Sequence, residues 1–271
     1  MEMTQGKYAN VNGLNMYYEI YGAGPPLILL HGGFGVIGMF EQNLPALAEN
    51  RQVIAVELQG HGHTADINRP LSFEQFADDV AALIKHVGLE NADILGYSLG
   101  GGAALQTAIR HPGVVRKLVL VSAPCKSDGW YAEVRAGMKS MNAEVGKTWT
   151  GSPMYQAYAS VAPRPDDWPT LVGKMGRLLS QDYDWSEAVA ALKLPVMIVV
   201  GDADSVRTAH AVELFELLGG GQRDANWDGS GMSNSRLAVL PGTTHYDIFS
   251  SPALAAAAIP FLDAPMPVGQ K

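Results

Sequence analysis

The chain has little with which to cross-link itself. Cys125 is the single cysteine among 271 residues, so no intramolecular disulfide can form. No run of lysine or arginine stands out either. Against 27 acidic residues there are 19 basic ones, and the formal net charge is −8. Nucleic acid and anionic membrane are therefore poor partners. Long apolar runs are missing as well. Stretches such as residues 253–259 fall far short of the ~20 residues that span a bilayer. Met1-Glu2-Met3-Thr4-Gln5 lacks a basic and an apolar region, so no secretory signal peptide is expected. A soluble cytoplasmic protein is the expectation.

What is present suits one large domain, or one domain carrying a substantial insertion. Hydrophobic residues make up 47% and charged residues 17%, enough for a sizeable core without disulfide or metal. Residues 8–11 and 14–21 are strand-like and flank Asn12-Gly13, a tight-hairpin dipeptide. Short apolar runs follow at 27–30, 53–56, 92–95, 117–121, 195–200 and 237–240. Such runs suit strands buried on both faces. Between them, helices are expected at 72–87, after the stretch 96–100 through 110, and at 209–217. Ser72 with Gln75 resembles a capping box for the first. A last helix starts at Ser251-Pro252, an N-cap followed by a first-turn proline. Alternating strands and helices after a hairpin give an α/β fold with a mainly parallel central sheet and helices on both faces.

Residues 125–191 break the alternation. They read as several short helices, and they hold four of the five tryptophans: Trp130, Trp149, Trp168 and Trp185. The expectation is a core of residues 1–124 and 192–271, with a small helical lid inserted at 125–191. Most of the lid's aromatics should pack its own interior, with some lining a pocket. Asp224, Asp228 and Ser230 in the polar stretch 219–235 fit no trusted calcium spacing, so a solvated loop is expected there.

Gly96-Tyr97-Ser98-Leu99-Gly100 fits Gly-x-Ser-x-Gly, a weak signal alone. Its setting, after an apolar strand and before a helix, is that of a nucleophile elbow. A serine hydroxyl needs a base. Of the seven histidines, His245 follows the last apolar run, where ligands gather in open α/β sheets. His86 and His111 are expected to be solvated, and His210 sits near a helix start. A neutral imidazole must be held in one tautomer, and Asp204 can supply the acceptor. Asp202 competes but sits closer to the strand, where a turn role is expected. The oxyanion donors should be the backbone N–H of Leu99 and that of Gly33 or Phe34.

These stretches, with His31-Gly32-Gly33, Gly60-His61-Gly62-His63-Thr64, Gly201 to Asp204 and Gly242 to His245, resemble the α/β-hydrolase fold. Within it the chain looks like the lidded esterase, lactonase and perhydrolase-like group. The resemblance covers nearly all of the chain outside the lid. It implies the family's eight-stranded sheet, a lid after the sixth strand, a Ser-Asp-His order of catalytic residues and no cofactor. The family usually has Asp where this chain has Glu57, and often Ser where it has Thr64. His61-Gly62-His63 with Asp66 partly resembles a metal-dependent lactonase motif, but the adjacent Asp-His is missing, so no metal is expected.

The functional expectation is a carboxylic ester hydrolase acting on small esters or lactones, acyl homoserine lactones included. Its catalytic residues would be Ser98, Asp204 and His245. A carbon–carbon bond hydrolase, a perhydrolase or a ligand receptor with little turnover remain alternatives, because they share this framework.

Overall fold

The computed structural model describes residues 6–267; the leader-free reading of residues 1–5 lies outside them. Among the described residues eight strands form one sheet. They are β1 (Lys7–Val11), β2 (Leu14–Tyr21), β3 (Pro26–Leu30), β4 (Gln52–Val56), β5 (Ala92–Tyr97), β6 (Val115–Val121), β7 (Val196–Ala203) and β8 (Arg236–Thr244). Their spatial order is β1-β2-β4-β3-β5-β6-β7-β8. β2 runs antiparallel to β1 and β4, and all other neighbours are parallel. This is the α/β-hydrolase fold that the sequence led us to expect.

The opening hairpin is set by its turn. Asn12 and Gly13 adopt φ of 49° and 79°, and Val11 pairs with Leu14. Two consecutive left-handed residues match the twist of the flanking strands. The inner strands carry continuous apolar runs because both faces of the sheet are covered. Ile28, Leu30, Ile54, Val56, Leu118 and Leu120 join one core cluster. Their neighbours Leu27, Leu29, Val53, Ala55, Val119 and Val121 join the other.

The helices divide accordingly. They are α1 (Leu44–Ala48), α2 (Phe73–His86), α3 (Leu99–Arg110), α4 (Ala132–Ser140), α5 (Ala143–Thr148), α6 (Pro153–Ala159), α7 (Trp168–Leu179), α8 (Ser186–Ala190), α9 (Thr208–Leu217) and α10 (Pro252–Asp263). On one face lie α1 and α10, through Leu44, Leu47, Leu254 and Phe261. On the other lie α2, α3 and α9, through Phe76, Leu83, Leu105 and Leu214. The Ser72 hydroxyl caps α2 by accepting the Gln75 N–H at 3.1 Å. No described helix is long and apolar enough to cross a membrane.

Helices α4 to α8 all fall between β6 and β7, where the alternation broke in the sequence. Trp168 is fully buried and donates its indole N–H to the Gly146 carbonyl at 3.1 Å. It packs the interior of this insertion, with Tyr155 and Tyr158 against it. Lys174 on α7 ties the insertion to the core, reaching Asp66 Oδ2 at 2.6 Å and the carbonyls of Ile67 and Arg69. In the stretch 219–235, Asp224 and Asp228 each accept a backbone N–H two residues ahead. Their carboxylates thus close local turns.

Candidate active site

Ser98 occupies the sharp turn between β5 and α3, with φ 52° and ψ −114°. A residue bearing a Cβ rarely adopts this conformation, which costs roughly 1–3 kcal/mol. The surroundings hold it there. The Ser98 N–H donates to Val121 O at 2.9 Å, and its carbonyl accepts the Gly102 N–H at 3.0 Å. Two glycines make room for the turn. A Cβ on Gly96 would come 2.2 Å from Gly100 O, and one on Gly100 would come 2.5 Å from His31 O. Strand and helix can approach only where those side chains are absent.

Three distant stretches meet at this turn. His245 Nε2 lies 3.1 Å from Ser98 Oγ, and His245 Nδ1 lies 2.9 Å from Asp204 Oδ1. Asp204 follows β7 and His245 follows β8, at the same edge of the sheet as Ser98. Burial pushes the Asp204 carboxyl up, but hydrogen bonds from His245, Ser122 and the Val206 N–H outweigh it and hold the group below the usual carboxylate range. The ionised carboxylate only accepts, so Nδ1 carries the imidazole proton. In the neutral ring, Nε2 then offers its lone pair to the Ser98 hydroxyl.

Ser98 remains partly accessible, whereas Asp204 and His245 are 6% and 8% exposed. The competitor Asp202 faces elsewhere; its Oδ1 accepts the Thr243 N–H at 3.3 Å. It ties β7 to β8, a link between strands where a local turn role was expected.

The loop after β3 lies against the serine. A Cβ on Gly32 would come within 3.4 Å of the Ser98 Cβ. Gly35 N–H donates to Gly32 O at 3.0 Å, closing a turn that contains Gly33 and Phe34. Phe34 takes φ 60°, another left-handed residue with a side chain. Leu99 is the first residue of α3, so its N–H belongs to the unpaired first turn of that helix. The Phe34 ring meets Trp168 at 5.3 Å and Trp149 at 6.0 Å, so the insertion reaches this loop.

Some contributors carry no sequence signal. The Ser122 hydroxyl donates to Asp204 Oδ2, and the Gly201 N–H reaches the same oxygen at 3.0 Å. The Tyr97 hydroxyl donates to the His245 carbonyl at 2.6 Å. Tyr97 fills a variable position of the Gly-x-Ser-x-Gly pattern, so the pattern could not single it out.

Glu57 and Thr64 close the glycine-rich turn. Glu57 is buried and accepts the N–H groups of Ile37 and His63 at 3.1 and 2.6 Å, and His63 Nδ1–H at 2.9 Å. The Thr64 hydroxyl donates to Glu57 O at 2.7 Å and accepts the Tyr17 N–H at 2.9 Å. His61 Nδ1 bonds Gln59 O at 3.0 Å. His61 and His63 thus serve separate partners, and no group of three or more metal-ligating side chains is arranged around an ion among the described residues.

Of two other histidines, His111 corrects its reading as solvated, and His210 lies at a helix start as expected. His111 is half-buried and bonds Asp78 at 2.7 Å instead of facing solvent. His210 is buried, accepts the Cys125 N–H at 3.2 Å and bonds Glu213 at 3.0 Å.

Buried neutral histidines make the fold sensitive to acid. Burial lowers His31 and His61 to about 4 from 6.5. Between those pH values the unfolded chain binds protons that the folded chain refuses. Stability is therefore full above about pH 6.5 and falls as pH drops toward 4. Each such histidine contributes up to about 1.4 kcal/mol per pH unit. His63, raised by its Glu57 hydrogen bond, opposes the trend in part. Urea midpoints should fall steadily from pH 7 to 4.5, and less steeply in His61→Phe. A flat profile in the wild type would contradict this reading.

A family model for the α/β hydrolase fold matches residues 25–151. This stretch contains Ser98 and the Gly32–Gly35 turn but neither Asp204 nor His245. The enol-lactonase of Burkholderia xenovorans superposes with a TM-score of 0.69, at 19% identity, over 95% of this chain and 100% of its own. The chain is an α/β-hydrolase-fold protein.

Two curated relatives of higher identity align over shorter stretches. A protein of Azorhizobium caulinodans, named provisionally as a carbamate hydrolase, is 33% identical over 123 residues, 45% of this chain and 46% of that protein. The 2-hydroxymuconate semialdehyde hydrolase of a Pseudomonas species is 41% identical over 108 residues, 37% of either protein. The aligned part thus spans less than half the length of these two relatives. Their names point to different substrates, so these likenesses say more about the fold than about the substrate.

Proposed function

We propose that the chain is a serine hydrolase of small carboxylic esters and lactones, working by two-step acyl transfer. One observation carries the reading: the Ser98 hydroxyl, the His245 imidazole and the Asp204 carboxylate form one hydrogen-bonded line. In the first step His245 Nε2 takes the Ser98 proton while Oγ bonds to the substrate carbonyl carbon. The oxyanion is held by the Leu99 N–H and by that of Gly33 or Phe34. As the tetrahedral intermediate collapses, the carbon–oxygen bond to the leaving group breaks, and His245 gives its proton to the departing alkoxide. Water then adds to the acyl-enzyme, its proton passing to His245 and on to Ser98 as the acid leaves. Asp204 keeps the imidazole in the accepting tautomer and steadies the imidazolium.

Residues 125–191 act in this reading as a lid that supplies an apolar wall. Trp149 and Trp130 approach Phe34 and His245, at 6.0 and 5.4 Å between ring centres. Lys126, Arg135 and Lys174 are each paired with carboxylates, so their charges are already answered. An apolar wall suits neutral acyl groups better than dianionic ones. The same three residues can also cleave a carbon–carbon bond next to a carbonyl. The relative named 2-hydroxymuconate semialdehyde hydrolase supports that second reading.

A panel separates the two. p-Nitrophenyl esters of increasing acyl length, several lactones and a vinylogous diketone acid are assayed in the wild type and in Ser98→Ala. Ester and lactone turnover that depends on Ser98 and exceeds diketone cleavage by about 10-fold or more in kcat/KM supports the proposal. The reverse order favours the second reading.

A further inference from the structure

Trp130 stands where the insertion leaves the core, and the segment around it is bound to the segment that carries the acid. Trp130 and Val206 form an isolated antiparallel bridge. The Tyr131 N–H donates to Ser205 O at 3.2 Å, and the Arg207 N–H donates to Gly129 O at 2.8 Å. The Arg207 guanidinium adds a bond from Nε to Asp128 O at 2.8 Å. Val206 is the junction, because its N–H also donates to Asp204 Oδ1 at 3.0 Å. That is the oxygen that receives His245 Nδ1–H.

The Trp130 side chain completes the link. Its ring centre lies 5.4 Å from that of His245, with the planes 76° apart. Tyr97 lies 5.3 Å from the imidazole at 39°, so the ring is held between two aromatic neighbours on different elements. The Trp130 side chain also lies within reach of the Tyr183 hydroxyl. Tyr183 stacks on Trp185 at 4.3 Å and belongs to the far end of the insertion. Ser127 ties the two ends together, donating its N–H to Tyr183 O at 2.9 Å and accepting the Tyr183 N–H at 3.0 Å. The segment packs closely at Gly129, where a Cβ would come 2.3 Å from Pro124 and 2.5 Å from His210.

We propose that Trp130 is a positioning residue that keeps the His245 imidazole in line with Asp204 and ties that alignment to the placement of the insertion. This rests on the serine-hydrolase reading of the site. Tyr97 fixes the backbone of His245 through its carbonyl and packs its ring on one side of the imidazole. Trp130 packs against the imidazole from the insertion side. A small misplacement of a base costs far more in kcat than in substrate binding.

The test compares Trp130→Leu, Trp130→Phe and Tyr183→Phe, with Tyr131→Ala as the control, in the full chain. For p-nitrophenyl acetate, Trp130→Leu should lower kcat roughly 10- to 100-fold with KM within about twofold. It should also displace the acid limb of the kcat/KM profile by about half a pH unit or more. Trp130→Phe should recover most of both, and Tyr183→Phe should shift both in the same direction as Trp130→Leu by less. The far-downfield proton resonance of His245 Nδ1–H reports the alignment without any turnover. It should broaden in Trp130→Leu and persist in Tyr131→Ala, so the positioning role is tested even if the chain hydrolyses none of the esters. If Trp130→Leu fails to fold, the downfield resonance of Tyr183→Phe decides. A wild-type resonance in the folded variant, or a rise in KM with kcat and the acid limb unchanged, would overturn the proposal.

Discussion

Ser98→Ala should lower kcat for p-nitrophenyl acetate by roughly 10⁴- to 10⁶-fold while leaving the fold intact. The loss is large because alanine leaves nothing to attack the carbonyl. What remains is the contribution of the backbone donors at Leu99 and the Gly33-Phe34 turn. The fold should persist for a local reason. Both residues carry a Cβ, so the strain of φ 52° is the same for alanine as for serine. The bond that is lost, from Ser98 Oγ to His245 Nε2, lies in a partly open site. Steady-state kinetics beside a thermal melt checks both halves. Activity within 10-fold of wild type would remove Ser98 from the mechanism.

Asp204→Asn should cost about 10⁴-fold in kcat, with a much smaller effect on KM. The carboxylate accepts from His245 Nδ1, Ser122 Oγ and two backbone N–H groups, at Gly201 and Val206. An amide in the same place has one oxygen and one NH₂ group to share among four donors. Either His245 faces an N–H and turns over its tautomer, or backbone donors lose their partner. In the first case Nε2 becomes protonated and cannot accept the Ser98 proton. The measurement is kcat across pH 5–9 with a parallel melt. A loss below about 10-fold in a folded variant would contradict the assigned role.

Much of this could be read from the chain itself. The sheet was legible because strands covered on both faces must be apolar throughout, as in Leu27-Ile28-Leu29-Leu30 and Val53-Ile54-Ala55-Val56. The hairpin was legible because Asn12-Gly13 suits left-handed backbone. Ser98, Asp204 and His245 were legible because each directly follows a strand at one edge of the sheet.

The rest depends on contacts between segments whose mutual placement no local pattern records. Ser122 lies 82 residues from the carboxylate it supports. Tyr97 reaches a carbonyl 148 residues away. His210 read as one more helix-start histidine, because nothing in α9 says that residues 124–129 will pack over it. His111 read as solvated because Asp78, its partner, lies 33 residues earlier on a neighbouring helix. Glu57 shows the opposite case. The sequence marked it as a departure from the family, and the structure gives it a role, closing the turn onto His63 and Ile37.

The most direct test of the account is the mass of the chain after reaction with a fluorophosphonate. The predicted result is one adduct per chain, on the peptide that carries Ser98, absent in Ser98→Ala and strongly slowed in Asp204→Asn. An adduct on another residue, or an unlabelled chain that still hydrolyses esters at the wild-type rate, would contradict it.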